Sequence, residues 1–407
     1  MDKIINYLKD NWDLCVRENK QDKDNLIGLP YKYTVPSPEF FNEMYYWDTY
    51  FTNIGLLRIG KADLAKSNVD NMLYLVDRFG FMPNGTRTYF LNRSQPPFLS
   101  EMVKDIYEFY KDKEWLSRAY ETLLKEYSFW QGKRRSDIRL NHYDAKIIDS
   151  EIKSYADMFY ERIGFRPSME DYEIVHHFLA TAEGGWDLNP RWNFDAYNFA
   201  ATDLNCLLYL FEKNMEYFSD ILENKNAKSE WKQRSENRLN LMQNYLCDDN
   251  GIFMDYNFKT NKRSTVFSVA SYYPMFVKAA TPRQAELLFQ NLERLEAEYG
   301  IASCEEINSD ISYQWGYPNG WACLQYIMIS ALDNYGYRKD ALRIAKKYVN
   351  TTKNIFDKTH NLWEKYNVVK GNIDVISEYG TPPMFGWSAG VYVYAEDYIR
   401  TYGKKIQ

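Results

Sequence analysis

Residues 113–130 read KEWLSRAYETLLKEYSFW, and their apolar side chains recur three and four positions apart. The recurring positions are Leu116, Ala119, Tyr120, Leu123, Leu124 and Tyr127. Because the α-helix repeats every 3.6 residues, this spacing places them on one stripe of a helix. The stretch therefore predicts an amphipathic helix with this stripe facing inward.

Helical stretches of this kind recur along the chain, near 229–246 and near 338–350, and they outnumber strand candidates. Loops rich in Gly, Pro, Asn and Trp separate them, without a low-complexity linker or a break in composition. In the stretch near 229–246, the side chains predicted to face inward are Trp231, Leu239, Met242, Tyr245 and Leu246. The pattern predicts an all-α chain whose residues 1–407 form a single domain.

A weak internal repeat indicates how the helices are arranged. Residues 251–257 (GIFMDYN) align with residues 361–367 (NLWEKYN), and each stretch follows a helix and an Asp-containing turn. Long-period self-similarity in an all-helical chain suggests stacked helical hairpins. Roughly six hairpins of about 60–70 residues would fill the chain, which is compatible with an (α/α)6 toroid. Short strand pairs, such as one at 252–256, are expected in the loops at one rim.

Composition and charge exclude several kinds of partner. Apolar residues make up 45% of the chain, so a large core is possible, and the net charge is −6. Nucleic-acid binding needs clustered basic residues, whereas the run at 133–135 is short and isolated and is interpreted as solvated surface. No stretch approaches 18 consecutive apolar residues, so we expect no membrane span. Five widely spaced cysteines without a CxxC motif predict no disulfide framework and favour a reducing, cytoplasmic location.

The motifs of several enzyme classes are absent from the sequence. There is no HExxH, GxSxG, GxGxxG or P-loop pattern, and the four histidines lack metal-ligand spacing. His176 and His177 lie in an apolar helical stretch and are interpreted as structural. We therefore expect neither a metal nor an organic cofactor.

Carboxylates among aromatic residues remain as the candidates for chemistry. Five loop-like stretches each combine a Trp or Arg with a carboxylate or amide, beside Gly or Pro: 43–50, 83–97, 183–192, 314–321 and 363–387. Cleavage of a glycosidic bond needs this inventory: a protonated carboxyl, an ionised carboxylate, polar groups for hydroxyls and aromatic faces for sugar rings. The aromatic content of 17% suits such a cleft, although a bulky core would explain it equally well.

Several carboxyl groups could fill the two catalytic roles. The candidates are Asp48, Glu183, Asp187, Glu364 and Glu378. Asp187 directly follows Trp186 and Glu364 directly follows Trp363, and a neighbouring indole raises the pKa of a carboxyl by desolvation. Each candidate could instead be a capping or a buried, paired carboxylate, so the residues alone leave the choice open.

The order of these blocks between about residues 38 and 392 resembles that of the trehalase family. The blocks that carry the resemblance are YYWDTYF (45–51), PNG (83–85), NRSQPP (92–97), RP (166–167), GWD (185–187), RW (191–192), QW (314–315), PNGW (318–321), EKY (364–366), EY (378–379) and FGW (385–387). Together and in order they are highly specific, although no single block would be.

The resemblance implies an (α/α)6 toroid that hydrolyses a small carbohydrate with inversion at the anomeric carbon. It assigns Asp187 as the general acid and Glu364 as the general base. It places a further set of residues around the sugars: Phe41, Trp47, Asp48, Asn84, Arg93, Gln95, Arg166, Gly185, Trp186, Gln314, Trp315, Glu378 and Trp387. It implies no cofactor, and a monomer or small homo-oligomer is expected.

Several positions depart from the family pattern; Cys323 replaces a Pro, and the Gly-rich run before Glu378 is absent. Phe40 stands where the family has an Arg, Ser168 where it has a Glu (unless Glu170 substitutes), and Gly316 where it has an Asp. Because of the family resemblance, trehalose is the first substrate to try. The changed positions can alter which sugar is preferred. The alternatives are another small α-glucoside, such as glucosylglycerate or an oligosaccharide end, a non-catalytic sugar-binding protein, and a helical scaffold for protein partners.

Overall fold

The computed structural model describes residues 2–377, 381–383 and 386–403. Within them the α-helices are α1 (Lys3–Asn11), α2 (Tyr46–Arg58), α3 (Ala62–Phe79), α4 (Leu99–Tyr110), α5 (Lys113–Gln131), α6 (Ile152–Ile163), α7 (Asp171–Glu183), α8 (Thr202–Ile221), α9 (Lys225–Tyr245), α10 (Tyr273–Phe276), α11 (Pro282–Gln290), α12 (Ala322–Asn334), α13 (Arg338–Thr359) and α14 (Gly386–Tyr402). None of these helices has both the length and the apolar character that crossing a bilayer requires.

Helices α2, α4, α8, α10, α12 and α14 form a closed inner ring in which each contacts the next and α14 returns to α2. Helices α3, α5, α9 and α13 pack around the outside of this ring. The ring closes tightly between α2 and α14, because a Cβ on Gly390 would lie 2.0 Å from the carbonyl oxygen of Phe51. The predicted (α/α)6 toroid is confirmed.

The three helices predicted from periodicity are present, with differences at their ends and faces. Helix α5 begins where the Asp112 side chain accepts a hydrogen bond from the Trp115 amide at 2.9 Å, a typical N-cap. Leu124, expected to face inward, is 36% exposed, so the buried stripe of α5 is narrower than predicted. Helix α13 continues beyond 350 to Thr359, and His360 ends it in the left-handed conformation with φ 57°.

Short antiparallel strands lie in the loops between the helices. They are β1 (Val16–Arg17), β2 (Tyr33–Thr34), β3 (Phe199–Ala200), β4 (Tyr256–Asn257), β5 (Lys262–Arg263), β6 (Glu296–Ala297), β7 (Gly300–Ile301), β8 (Asn319–Trp321) and β9 (Lys365–Asn367). They pair as β1–β2, β3–β4–β5, β6–β7 and β8–β9. The strand expected at 252–256 begins only at Tyr256.

The internal repeat corresponds to two equivalent strand–turn units. The Asn257 side chain accepts hydrogen bonds from the amides of Lys259 and Thr260, both at 3.0 Å. Its counterpart Asn367 accepts from the amides of Val369 and Lys370, at 3.0 and 2.9 Å. The repeated Tyr-Asn pair therefore ends a strand and forms the following turn in the same way at both places.

Helices α6 and α7 form an additional hairpin, inserted in the chain between α5 and α8. Phe159 of α6 and Ile174 and Val175 of α7 belong to a small hydrophobic cluster that is separate from the main core. The hairpin is therefore a locally packed unit. Residues from both of its helices line the cavity described next.

Candidate active site

A cavity of about 410 Å³ brings Asp187 and Glu364 together. Asp187 comes from the loop after α7, and Glu364 immediately precedes β9. Of the residues that the resemblance assigned to the sugars, those lining this cavity are Phe41, Trp47, Asp48, Asn84, Arg93, Gln95, Gly185, Trp315 and Trp387. The fold thus gathers side chains from widely separated blocks around one hollow.

Four assigned residues lie elsewhere or outside the described chain. Trp186 and Gln314 are buried without lining the cavity. Arg166 is 66% exposed and pairs with Asp171 at 2.6 Å, away from the cavity. Glu378, like Tyr379 and Phe385 of the C-terminal blocks, lies outside the described residues.

Other lining residues were not assigned from the sequence. Arg162, in the last turn of α6, lines the cavity together with Tyr155 and Met158. No motif marked them, because α6 carries none of the family blocks. Phe40 also lines the cavity and is 53% exposed. Glu170 is exposed and does not line the cavity, so it does not occupy the place of the missing Glu there.

Four tryptophans supply the aromatic faces of the cavity. The Trp315 ring stacks on Trp321 with centroids 3.8 Å apart and lies 5.5 Å from Trp47. Trp387 meets Trp47, Trp315 and Trp321 edge-on. Trp186 packs behind Trp315 at 5.4 Å. The indoles that line the cavity with the carboxyls thus come from other parts of the chain, whereas the sequence pointed to the adjacent tryptophans.

Gly185 and the side chain of Asn189 fix the conformation of the loop that carries Asp187. Gly185 has φ +74°, and a Cβ there would lie 2.8 Å from the Trp47 ring, so only glycine fits without strain. The Asn189 side chain donates to the carbonyl of Trp186 at 2.6 Å and accepts from the amide of Arg191 at 2.9 Å. These contacts fix the turn on either side of the acid.

A buried ion network supports this loop from below. The Arg191 guanidinium donates to Asp203 at 2.8 Å and to Asp255 at 2.9 Å, and it also lies over the Trp186 ring at 4.4 Å. Asp203 belongs to α8 and Asp255 precedes β4. The loop is therefore attached both to the inner ring and to a rim strand.

Asp187 is in an environment that favours its protonated form. Burial raises the pKa of the Asp187 carboxyl, and the positive charges of Arg162 and Arg93 oppose that rise in part. A carboxyl with a raised pKa retains its proton at a higher pH than an exposed Asp does. This is the property that a general acid needs.

Glu364 has a buried counter-ion. The Lys365 ammonium lies 2.5 Å from Glu364 Oε2, and it also lies over the Trp321 ring at 4.8 Å. The Trp387 indole donates to the Glu364 carbonyl at 3.1 Å. This hydrogen bond connects the start of α14 to the residue before β9. The ammonium balances the carboxylate charge at a place where both side chains are almost fully buried.

Asp48 is a third buried carboxyl in the cavity. Burial, together with the negative charges of Glu364 and Asp187, raises the pKa of Asp48 to about 8. At neutral pH it is therefore mostly protonated and can donate a hydrogen bond. The Trp47 amide beside it donates to the Gln95 side chain at 3.3 Å, which connects α2 to the 92–97 block.

Comparisons with known proteins bear on the family and the fold of the chain. The family model described as trehalase matches residues 1–399. The chain is similar to the neutral trehalase Nth1 from Saccharomyces cerevisiae, with 26% identity and a TM-score of 0.78 over 92% of this chain and 75% of that one. It also resembles a GH63 mannosylglycerate hydrolase from Thermus thermophilus, solved with glucose, with 15% identity and a TM-score of 0.67 over 97% and 99%. The second likeness concerns the fold alone.

Proposed function

The chain belongs to the trehalase family of glycoside hydrolases, and on that premise we propose that it cleaves an α-glucoside with inversion, residues 1–407 acting as one catalytic domain. The observation that carries the proposal is the position of Asp187 and Glu364 in one tryptophan-lined cavity. A scaffold or a purely sugar-binding protein would need neither buried carboxyl.

In the proposed reaction the two carboxyls act on opposite faces of one sugar ring. Protonated Asp187 donates its proton to the glycosidic oxygen as the bond from this oxygen to the anomeric carbon breaks. Ionised Glu364 accepts a proton from the water molecule whose oxygen forms the new bond to that carbon. The products are the leaving alcohol and a sugar of inverted configuration, with the proton returned from Glu364 to Asp187 through solvent.

The remaining lining residues fit the binding of a sugar. The indoles of Trp47, Trp315 and Trp387 line the cavity and offer apolar surface to the C–H groups of a sugar, and protonated Asp48 can donate to a hydroxyl. Asn84 donates to the carbonyls of Ser94 and Ala182 at 3.1 and 3.4 Å, so its amide group holds the 92–97 block against α7. We therefore assign Arg93 and Gln95 as direct contacts and Asn84 as their support.

Trehalose is the first substrate to test, and a sugar glycerate is the second. The exposed Phe40 at the cavity, where the family carries a cation, favours a changed leaving-group site. The name of the Thermus enzyme, a mannosylglycerate hydrolase, makes glucosylglycerate and mannosylglycerate sensible members of the panel. Oligosaccharides with a terminal α-glucose complete it.

Asp187→Asn and Glu364→Gln test the assignment. Each should reduce sugar release by about 10²–10⁴-fold, while calorimetry still shows binding of substrate. Asp357→Asn, at an exposed residue of α13, is the matched control and should leave the rate unchanged. Proton NMR of the fresh products should show the sugar from the cleaved anomeric carbon as the β-anomer. With trehalose it should be accompanied by an equal amount of α-glucose, because the leaving glucose keeps its configuration. Full activity in either cavity variant, or binding by the wild type without turnover of any panel member, would refute the proposal.

A further inference from the structure

A second cavity, of about 770 Å³, lies beside α7 and has no described lining residue in common with the candidate active site. Its lining residues include Lys133, Arg134, Asp144, Lys146 and His176. It therefore brings together the basic run and one of the histidines to which no sequence motif assigned a role. The volume lies in the range of about 300–1,000 Å³ that is usual for small-molecule sites.

Arg134 presents a fixed guanidinium to this cavity. The interpretation of the basic run as solvated surface is wrong for Arg134, which is only 7% exposed. Its Nε and Nη2 donate to the Glu183 carboxylate at 2.8 and 2.6 Å, and Nη2 also donates to the Asp144 carbonyl at 3.0 Å. Its Nη1 makes no hydrogen bond within the described residues. One corner of an otherwise fixed cation thus remains available to a ligand.

Positive charge predominates around that corner. The exposed side chains of Lys133 and Lys146 line the same cavity as Arg134. Asp144 is the carboxylate among the lining residues, and its Oδ1 is bound by His176 Nε2 and by the Ala145 amide, both at 2.7 Å. Glu183 balances the charge of Arg134 and Asp144 is engaged by His176, so the charges of the two lysines remain in excess. They favour an anionic ligand, and arginine is well suited to a phosphate.

Aromatic side chains make up much of the remaining cavity wall. Phe81 stacks on Phe129 at 4.6 Å, and the Arg134 guanidinium lies 4.0 Å above Phe129. On the other side, the Tyr197 ring lies 3.9 Å from that of His176. Such faces accept the carbon body of a sugar or a similar small molecule.

We propose that this cavity binds a small organic phosphate, whose phosphate group contacts Arg134, Lys133 and Lys146 while its carbon body packs against the aromatic wall. The class of ligand follows from the charge and the wall together. A free inorganic anion would leave the aromatic faces unused.

The site is connected to the substrate-binding segment at 92–95. Glu183, which holds Arg134, also accepts a hydrogen bond from the Ser94 amide at 2.7 Å. Asn92 lines the second cavity, and its side chain accepts from Arg93 Nη1 at 2.8 Å. Arg93 and Gln95 line the candidate active site. Binding of the phosphate therefore acts on the same short segment from its other side and changes substrate affinity.

Calorimetry with glucose 6-phosphate, in excess glucose to fill any glucose subsite, tests the binding. The double variant Lys133→Ala/Lys146→Ala should lose about tenfold or more in affinity. Both lysines are exposed, so folding is unaffected. The control, Lys339→Ala/Lys346→Ala, removes two lysines from a separate groove on α13 and should bind like the wild type. Failure of the wild type to bind, or equal affinity in the first double variant, would overturn the site.

Kinetics test the connection. Glucose 6-phosphate should change the KM of the wild type by about twofold or more and should have no effect on Lys133→Ala/Lys146→Ala. An unchanged KM at saturating phosphate ester would overturn the coupling. The coupling step rests on the proposed hydrolysis, whereas the calorimetric step does not. A chain that hydrolyses nothing in the panel would thus refute the proposed function while the phosphate site is still judged by binding.

Discussion

The Lys365 ammonium lies 2.5 Å from Oε2 of Glu364, and neither side chain exposes more than 2% of its surface. The proposed base and its counter-ion are consecutive residues, Glu364 just before β9 and Lys365 its first residue. The charge of Glu364 is balanced by the protein itself, so a neutral sugar that displaces solvent from the cavity does not leave the carboxylate without a counter-ion. This relationship leads to the first prediction.

Lys365→Met should destabilise the protein by about 3–5 kcal/mol, because it removes the buried counter-ion of Glu364. Lys370→Met is the control, since Lys370 forms an exposed pair with Asp374 and such pairs contribute about 1 kcal/mol or less. The double variant Glu364→Gln/Lys365→Met should recover most of the loss. Urea unfolding measures the stability of all three variants. A Lys365→Met protein as stable as the wild type would contradict the role given to Lys365.

Gly185→Ala should reduce both stability and activity. The residue has φ +74°, and the added Cβ would lie 2.8 Å from the Trp47 ring, so the loop carrying Asp187 must shift. Gly80→Ala is the matched control, because Gly80 has φ +82° with nothing within 4 Å. Both variants carry the backbone cost of about 1–2 kcal/mol, but only Gly185→Ala should also lose sugar release. Equal activities would show that the contact with Trp47 does not position the acid.

Asp48→Asn should stabilise the protein increasingly as the pH rises from about 4 to about 8. Folding raises the pKa of Asp48 to about 8, so within this window the folded chain retains a proton that the unfolded chain releases, and wild-type stability falls with pH. The asparagine does not titrate and escapes this loss. Melting temperatures of both proteins at several pH values test it, and a constant difference would argue against a protonated Asp48.

The helices could be predicted from the sequence, and Asp187 and Glu364, chosen by the family resemblance, do line one cavity, but the walls of that cavity could not be predicted. Periodicity is local, and it located α5 and α9 to within a few residues. The position of the indoles depends on tertiary packing. Trp186 points behind Trp315, and Trp363 donates its indole N–H to Thr359 at 2.9 Å. The sequence therefore predicted indoles near these two carboxyls, but the indoles that line the cavity with them are not the adjacent ones.

The α6–α7 hairpin shows the same limit. Its residues carry no family block beyond the Arg-Pro pair, so the sequence directed attention to Arg166. In the fold Arg166 faces solvent beside Asp171, while Arg162, four residues earlier, reaches the cavity. Gly164 ends α6 in the left-handed conformation with φ 78°, so Arg162 lies on the last turn of the helix and Arg166 in the loop beyond it. The sequence analysis did not locate this helix end.

Arg162→Met should move the alkaline limb of the pH–rate profile to higher pH. The general acid must be protonated, so activity is lost as the pH rises through the pKa of Asp187. The positive charge of Arg162 lowers that pKa against the effect of burial, and its removal lets the pKa rise. Arg166→Met is the control and should leave the limb in place. If Arg166→Met moves the limb and Arg162→Met does not, the cation that acts on Asp187 is Arg166, as the family resemblance implied.

Phe40→Arg should improve hydrolysis of trehalose, because it restores the cation that the family carries at this position. Phe40 lines the cavity and is 53% exposed, so a longer side chain has room to reach a sugar hydroxyl. A charged hydrogen bond of this kind contributes about 1.5–3 kcal/mol, which corresponds to about tenfold or more in kcat/KM. Phe109→Arg, at another exposed phenylalanine outside the cavity on α4, controls for added charge. If the Phe40 variant instead loses activity towards every glucoside tested, Phe40 is itself a binding surface, and the natural substrate has a leaving group that needs an aromatic face rather than a cation.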